Sequence, residues 1–486
     1  MEADIAALVK TEMFIDGEWL EAAKGERHPV RNPATGELIA SVAFGGERDA
    51  ERAVNAAERA FPHWAAETAE IRADYLRTTY NLIIEDADRL AKILTMEEGK
   101  PLAEAKREVL WGAEYVLWYA GEAKRIYGEI LPSSEQNQRL LVQRHPVGIV
   151  AAITPWNFPF SMITRKLAPA LAAGCTVVIK PSPETPLSAI ALFEIFEKAG
   201  LPHGAANLVI GNAKEISGVF VNHDKVRKIS FTGSAQIGKQ FMEQAAKKLK
   251  KVSLELGGHA PFIVFDDADI DLAVDGLIRN KFQNNGQTCT CANRVFVQKT
   301  VLDRFTVVLT EKIKELKIGN GLEQGVEIGP LIHKAALSQV QIQVEDAVHK
   351  GAEIIAGGNP LRNGVYKKGN FFEPTILCDV TQEMKIFQEE TLGPVIPLIP
   401  FETEDEAVEQ ANETVYGLAA YVYTKNLGRT IRVSDRLEFG MIGINGTKVG
   451  YVQAPFGGMK ESGMGREGGK YGLDEFLEYK LLNFNY

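Results

Sequence analysis

Two successive α/β blocks and a projecting β-hairpin are what this chain of 486 residues predicts. Three observations carry the prediction. From residue 148, short β-branched runs such as GIVAAITPW and CTVVIKPS alternate with helical segments, the pattern of a parallel sheet covered on both faces. That grammar points to a doubly wound, Rossmann-like domain of the kind that binds nucleotides. After residue 258 a second alternating block begins, with APFIVFDD as a strand and DIDLAVDGLIRNKFQNNG as a helix. Between helix and sheet, EILPSSEQNQRLLVQRHPVG (129–148) has polar positions facing outward and no helical period, so it reads as an exposed hairpin arm.

In chain order, the first ~125 residues are mostly helical in pattern, with apolar side chains three and four apart in DAERAVNAAERAFPHWA and LRTTYNLIIEDADRLAKILTMEEGK. Thr185 and Pro186 supply an N-cap and a first-turn proline to a helix carrying Ala189, Leu192, Phe193 and Phe196 on one stripe, stopped at Gly200. AANLVIG, VRKISFTG and KVSLELGG continue as strands, with helices after Gly211 and Ser234. The second block runs to about residue 450, and EFLEYKLLNF at the end joins the arm, where it could pair with another subunit. Residues 1–128 and 147–256 are expected to form the cofactor domain, 257–450 the catalytic domain, 129–146 and 473–486 the oligomerisation arm, and 451–472 a return to the first domain.

Composition removes several classes. A net charge of −10 with both signs interspersed offers no basic stripe for nucleic acid. No apolar run of about 18 residues exists to span a membrane. MEADIAALVKTEMFIDGEWL shows neither a basic start nor an apolar core of a secretion signal. Four cysteines make no disulfide framework, so a cytoplasmic enzyme is expected.

Two glycine-rich stretches compete for a phosphate. GMGREG (463–468) satisfies G-x-G-x-x-G, but no strand precedes it and too little chain follows, so it reads as a flexible surface turn. FTGSAQIG (231–238) follows a strand and opens a helix, whose first N–H groups and positive end suit an anion. Gly233 allows close approach there and the Ser234 hydroxyl can donate, although a serine N-cap after a glycine turn explains the same letters. Lys180 ends the strand CTVVIK, where such sheets bind ligands.

The stretch NNGQTCTCANR sets Cys289 and Cys291 one residue apart. A metal site needs more ligands and wider spacing, and the eight histidines form no H-x₃₋₅-H pair, so no metal is expected. A disulfide across one residue is strained. Buried sulfur and an activated nucleophile remain. Cys289 follows a polar segment at a helix end, which would leave it at a domain surface, where a modest pKa shift makes a thiolate. Glu255, at a strand end beside two glycines, is the candidate base, and the Asn157 amide the candidate oxyanion donor.

These residues sit in PWNFP, KPSPETP, FTGS, LELGG, GQTCTCANR, EETLGPV and PFGGMKESGMGRE, and in that order they resemble the aldehyde dehydrogenase superfamily from NPATGE near residue 32 to the C-terminus. The resemblance implies oxidation of an aldehyde to a carboxylate with NAD or NADP. Cys289 would attack the carbonyl, Asn157 and the Cys289 N–H would hold the oxyanion, and Glu255 would activate the water that hydrolyses the thioester. Lys180 would meet the adenosine ribose; Trp156, Gly233 and Ser234 the pyrophosphate; Gly211 the adenine; Glu390 the nicotinamide ribose; Ser182 would complete the cofactor site. It also implies assembly through the arm as a homodimer or homotetramer. Loss of Cys, Glu or Asn would mark a non-catalytic relative and none is lost, while Glu255 favours water over coenzyme A as the acceptor.

Within the superfamily, MITRK, GQTCTCANR and KESGMGREGGKYG look most like succinate-semialdehyde dehydrogenases. Some of that subgroup form a reversible disulfide between the nucleophile and a second cysteine, matched here by Cys291. Arg165 matches one carboxylate-binding arginine of the subgroup, but Gln283 stands where a second is expected, and the loop TKVGYV lacks the usual serine, with Lys448 as a possible substitute. Phe456 would line the substrate pocket, as could the aromatic face of Trp111, Tyr115, Trp118 and Tyr119. A short semialdehyde such as succinic semialdehyde leads, with other semialdehydes and simple aliphatic or aromatic aldehydes open. Leu392 replaces a common aromatic near the nicotinamide. Pro183 stands where NAD users often carry a glutamate, so both cofactors remain open.

Overall fold

A computed structural model describes residues 8–486; the first seven residues of the expected cofactor domain lie outside the described residues. An eight-stranded sheet runs in the spatial order Gly463–Met464, Lys251–Glu255, Val226–Thr232, Ile149–Ile153, Thr176–Lys180, Ala206–Leu208, Met13–Ile15, Glu18–Leu20. Its five central strands are parallel. Ile149–Ile153 and Thr176–Lys180 are buried at every position, as the unbroken apolar runs required of a sheet covered on both faces. Starting from Ile149–Ile153, the chain adds strands first on one side and then on the other, so the order reverses between Ile149–Ile153 and Val226–Thr232. Beyond the carboxyl ends of those two strands lies the crevice where doubly wound sheets take ligands.

A second, seven-stranded sheet has the order Glu353–Ala356, Thr375–Cys378, Val395–Phe401, Ala292–Gln298, Ala260–Val264, Ala419–Tyr423, Met441–Ile444. All its pairings are parallel except the first. The arm is a three-stranded antiparallel sheet. Gln138–Pro146 lies between Glu129–Leu131 and the C-terminal strand Leu477–Asn485, in register from Leu477 opposite Pro146 to Asn485 opposite Gln138. The C-terminal strand is therefore used within its own chain, while Ile130, Tyr479 and Leu481 remain 73%, 68% and 59% exposed. No helix among the described residues is long and apolar enough to cross a membrane.

The first ~125 residues depart from their helical reading. Arg27–Arg31 and Leu38–Ala43 form a separate hairpin and two short strands extend the main sheet before the first described helix, Glu47–Ala66. The period-two alternation in these short runs is masked by the longer helical patterns after them. The cap expected from Thr185 is also absent. The N–H groups of Leu187 and Ser188, opening helix Leu187–Lys198, donate instead to the Glu97 carboxylate at 2.7 and 2.8 Å, and the Thr185 hydroxyl donates to the Trp156 carbonyl at 3.3 Å. Glu97 is fully buried, and burial pushes its carboxyl up to about 8.

Glu97→Ala orphans two buried helix N–H groups and is expected to destabilise the protein by about 1–3 kcal/mol, with Glu97→Gln, which keeps an acceptor, costing less. Urea unfolding followed by tryptophan fluorescence measures both, and an unchanged midpoint for the alanine variant would exclude the cap.

Candidate active site

The strand ends at the reversal deliver the first group of residues. Ser234 caps helix Ala235–Ala246, its Oγ accepting from the Ile237 N–H, so the cap reading of that serine is present in the structure and its own O–H is left to donate. Gly233 donates its N–H to the Glu255 carbonyl at 3.1 Å, and a Cβ at Gly233 would lie 2.4 Å from the Phe231 ring. A groove of about 600 Å³ runs between this helix and helix Ala213–Asn222, lined by Ile153, Lys180, Lys214, Phe231, Ile237 and Phe241 among others. Lys180 is buried in its wall, its ammonium donating to the Pro181 carbonyl at 3.1 Å, and burial draws its pKa down to about 8. Gly211, expected at the adenine, does not line this groove. A Cβ there would come within 1.9 Å of the Gly45 carbonyl, so close backbone packing against residue 45 accounts for the glycine. Trp156 and Ser182 also lie outside the groove; the Trp156 ring is 6.3 Å from that of His333, and the Ser182 Oγ accepts from the Glu184 N–H.

A second group surrounds Cys289. The backbone at Asn284, Asn285 and Gly286 is left-handed (φ 49°, 54° and 77°), turning the chain out of helix Ile270–Lys281 towards the cysteine. The side-chain amide of Asn157 donates to the Gln287 carbonyl at 3.0 Å, which spends one of its two N–H bonds and leaves the other. A Cβ at Gly258 would lie 2.2 Å from the Cys289 carbonyl oxygen, so only glycine lets these two segments touch. The N–H of Gly258 donates to the Glu390 carboxylate at 3.0 Å, which brings that acid beside the cysteine, and burial pushes Glu390 up to about 7. Cys289 is half-buried, and the expectation of a lowered thiol pKa is corrected here. Burial first, and then the Glu390 carboxylate, push the Cys289 thiol up to about 12, against a weaker opposing pull from Arg165. The four cysteines are free; Cys291 is fully buried, its thiol towards the Lys281 carbonyl at 3.7 Å.

The third group was dismissed in part from the sequence. Glu255 ends strand Lys251–Glu255, buried, with neither carboxyl oxygen hydrogen-bonded. Burial and then the neighbouring Glu467 carboxylate hold its pKa well above the usual carboxylate range, which favours the neutral form. Glu467 belongs to the stretch 463–468 read as a flexible surface turn, and that reading is corrected. Met464 and Gly463 pair with Leu254 and Glu255 at the sheet edge, and the segment folds inward. Burial works against ionisation of Glu467, but Lys166 at 2.7 Å and Arg165 at 2.6 Å hold it below its usual range. Both cations lie on helix Ser161–Ala173, buried at every position. Two adjacent charges inside SMITRKLAPALAA are the signal that a buried acid had to exist elsewhere.

Arg165 is thus already paired, and it is boxed by the rings of Phe456, Tyr115 and Trp111 at 4.0, 5.5 and 5.6 Å. Phe456 and Arg165 come together as expected. Gln283 does not join them in the interior: it is exposed, as is Lys448, whose ammonium lies 4.8 Å from the Tyr451 ring. Trp118 and Tyr119 extend the aromatic helix face, with Tyr119 fully buried in the first core. Leu392 adopts a left-handed φ of 49°, uncommon for its type. Among the described residues no group of three or more His, Cys, Asp or Glu could hold a metal.

The family model for the aldehyde dehydrogenase family matches residues 19–482. The chain belongs to that family. This dehydrogenase is 51% identical over 482 residues to a glutarate-semialdehyde dehydrogenase of Pseudomonas putida, covering 99% of each chain. It is 50% identical to the NADP-dependent succinate-semialdehyde dehydrogenase of Escherichia coli, again covering 99% of each. A solved NADP-dependent enzyme of E. coli superposes with a TM-score of 0.97 at 50% identity, over 99% of both chains. The α/β fold, the oxidoreductase class and the use of NAD or NADP implied by the sequence motifs are thereby borne out.

With its thiol held high by burial, cofactor-free protein should be alkylated by iodoacetamide at Cys289 about tenfold faster per pH unit between about pH 7 and 9. Mass spectrometry of the Cys289 peptide follows the rate; a plateau near pH 8 would mean the thiolate is already formed.

Proposed function

We propose that the enzyme oxidises a short aldehyde carrying an acidic tail, with Cys289 as nucleophile, Asn157 and the Cys289 N–H as oxyanion donors, and Glu255 as the base for hydrolysis. One observation carries this reading: beyond the strand ends of a doubly wound sheet, in a chain of this family, the Asn157 amide is anchored to the Cys289 loop and the buried Glu255 lies close enough to act electrostatically on the Cys289 thiol. Cys289 first gives its S–H proton to water; attack of the resulting thiolate on the aldehyde carbon forms the C–S bond and turns the aldehyde oxygen into an anion, for which the second Asn157 N–H is available. NAD or NADP, when bound, accepts the hydride that leaves this adduct. The groove beside Lys180 fits the adenosine end, Ser234 and the first turn of helix Ala235–Ala246 fit the pyrophosphate, and Glu390 can accept from a ribose hydroxyl. Glu255 must lose its proton before it can take one from water. Burial first, and then the Glu467 carboxylate held between Lys166 and Arg165, raise its pKa and so oppose that loss until the site changes.

The names of the relatives support a semialdehyde such as succinic or glutaric semialdehyde, and Arg165 within its aromatic box supports a carboxylate contact. The pairing of Arg165 with Glu467, and the exposed neutral Gln283 in place of a second arginine, favour as second reading a less acidic aliphatic or aromatic aldehyde. The eight-stranded sheet would serve as the cofactor domain and the seven-stranded sheet as the catalytic domain, with residues 451–472 returning to the first. The exposed apolar side chains of the arm support a homodimer or homotetramer, and the free cysteines a cytoplasmic location.

Assay of the purified protein with NAD and NADP separately, against semialdehydes and simple aldehydes, tests the reading by formation of reduced nicotinamide. Asn157→Ala is expected to lower kcat by about 10²–10³-fold. Cys289→Ser should abolish turnover, and Glu255→Gln should allow a burst of reduced cofactor but stall afterwards. Turnover that survives Cys289→Ser would refute the covalent route, and turnover confined to simple aldehydes would refute the acidic tail.

A further inference from the structure

We infer that Lys100 is a positioning residue that sets the spacing of the two oxyanion donors, an inference resting on the thiol chemistry proposed above. Lys100 lies between helices Ala87–Glu98 and Leu102–Glu122, in the segment EEGKPL, and its side chain is 1% exposed. Its ammonium donates to the main-chain carbonyl of Asn157 at 2.7 Å and to the Glu108 carboxylate at 2.7 Å. The Glu98 carboxylate lies 3.9 Å away, and the Phe158 ring 4.0 Å. The same Asn157 carbonyl accepts a second hydrogen bond from the Asn284 side chain at 2.8 Å.

Those two donors come from different parts of the molecule. Asn284 opens the loop that carries Cys289, and Asn157 reaches back to that loop through its own amide on the Gln287 carbonyl. One carbonyl, filled by an ammonium from below and an amide from the side, therefore joins the segment with one oxyanion donor to the segment with the other. Two acids extend the clasp. The second oxygen of Glu108 accepts the N–H groups of Phe160 and Ser161 at 3.0 and 3.1 Å, and Glu104 accepts the N–H of Asn284 at 2.9 Å. The backbone under Lys100 has no slack: a Cβ at Gly321 would come within 2.5 Å of the Lys100 carbonyl, and one at Gly329 within 2.2 Å of the Gly99 carbonyl. A buried ammonium with so many partners is costly to displace, which suits a group that must hold two N–H bonds in fixed register. The Lys100 ammonium meets Asn157, Glu108, Glu98 and Phe158, so its effect on the thiol passes through Asn157 and Asn284.

A role in stability alone would be equally well served by this cluster, and the two are separated by comparing two reactions of the same thiol. Alkylation of Cys289 by iodoacetamide builds no oxyanion, whereas the burst of reduced cofactor on an aldehyde requires one. The variants are Lys100→Met, which removes the ammonium, and Asn284→Gly, which removes the second donor while tolerating the left-handed backbone; the latter decides the matter if the former does not fold. Each is expected to slow the burst by about 10- to 100-fold while alkylation at one alkaline pH and the dissociation constant of the nucleotide stay within about twofold. Parallel losses of burst and alkylation, or a burst at the wild-type rate, would overturn the role of Lys100. Wild-type protein that oxidised no aldehyde would instead overturn the proposed function beneath it.

Discussion

Crossovers between parallel strands are right-handed almost without exception, so a sheet that grows from Ile149–Ile153 in both directions must send its helices to opposite faces and part them where the direction reverses. That parting has no backbone of its own to fill it. Asn157 and Ser234 follow the two strands that flank it, while Lys180 and Glu255 end the next strand on either side. Polar groups scattered over a hundred residues of sequence are gathered along one sheet edge because the winding puts strand ends there.

The second organising fact is the low dielectric of the place where they meet. Burial, more than any neighbouring charge, raises the pKa of both Glu255 and Cys289. The charges that remain are paired: Glu467 with Arg165 and Lys166, Lys100 with Glu108. Unpaired ions are costly there, and the charged groups that remain have partners.

Much of this was legible in the chain. Period and length of the β-branched runs marked the central parallel strands, because a doubly covered strand must be apolar throughout. The segments LELGG and NNGQTCTCANR supplied the candidate acid and thiol, but that Gly258 meets the Cys289 carbonyl was visible only in the structure. Glu467 was missed because its glycine-rich surroundings imitate a solvent-exposed turn, and only pairing with Leu254 and Glu255 at a sheet edge draws it inward. Thr185 was misread as a cap because local sequence favoured it, whereas Glu97, ninety residues earlier, supplied a stronger acceptor for the same N–H groups.

By itself, then, the sequence determined the central parallel strands and the family to which the chain belongs, since those follow from side-chain type and spacing. The tertiary structure alone decided the direction in which the pKa values of Cys289 and Glu255 move, the partner of Arg165 and the clasp at Lys100. Each of these depends on distance and on exclusion of water between residues far apart in the chain, and neither quantity is written in local sequence.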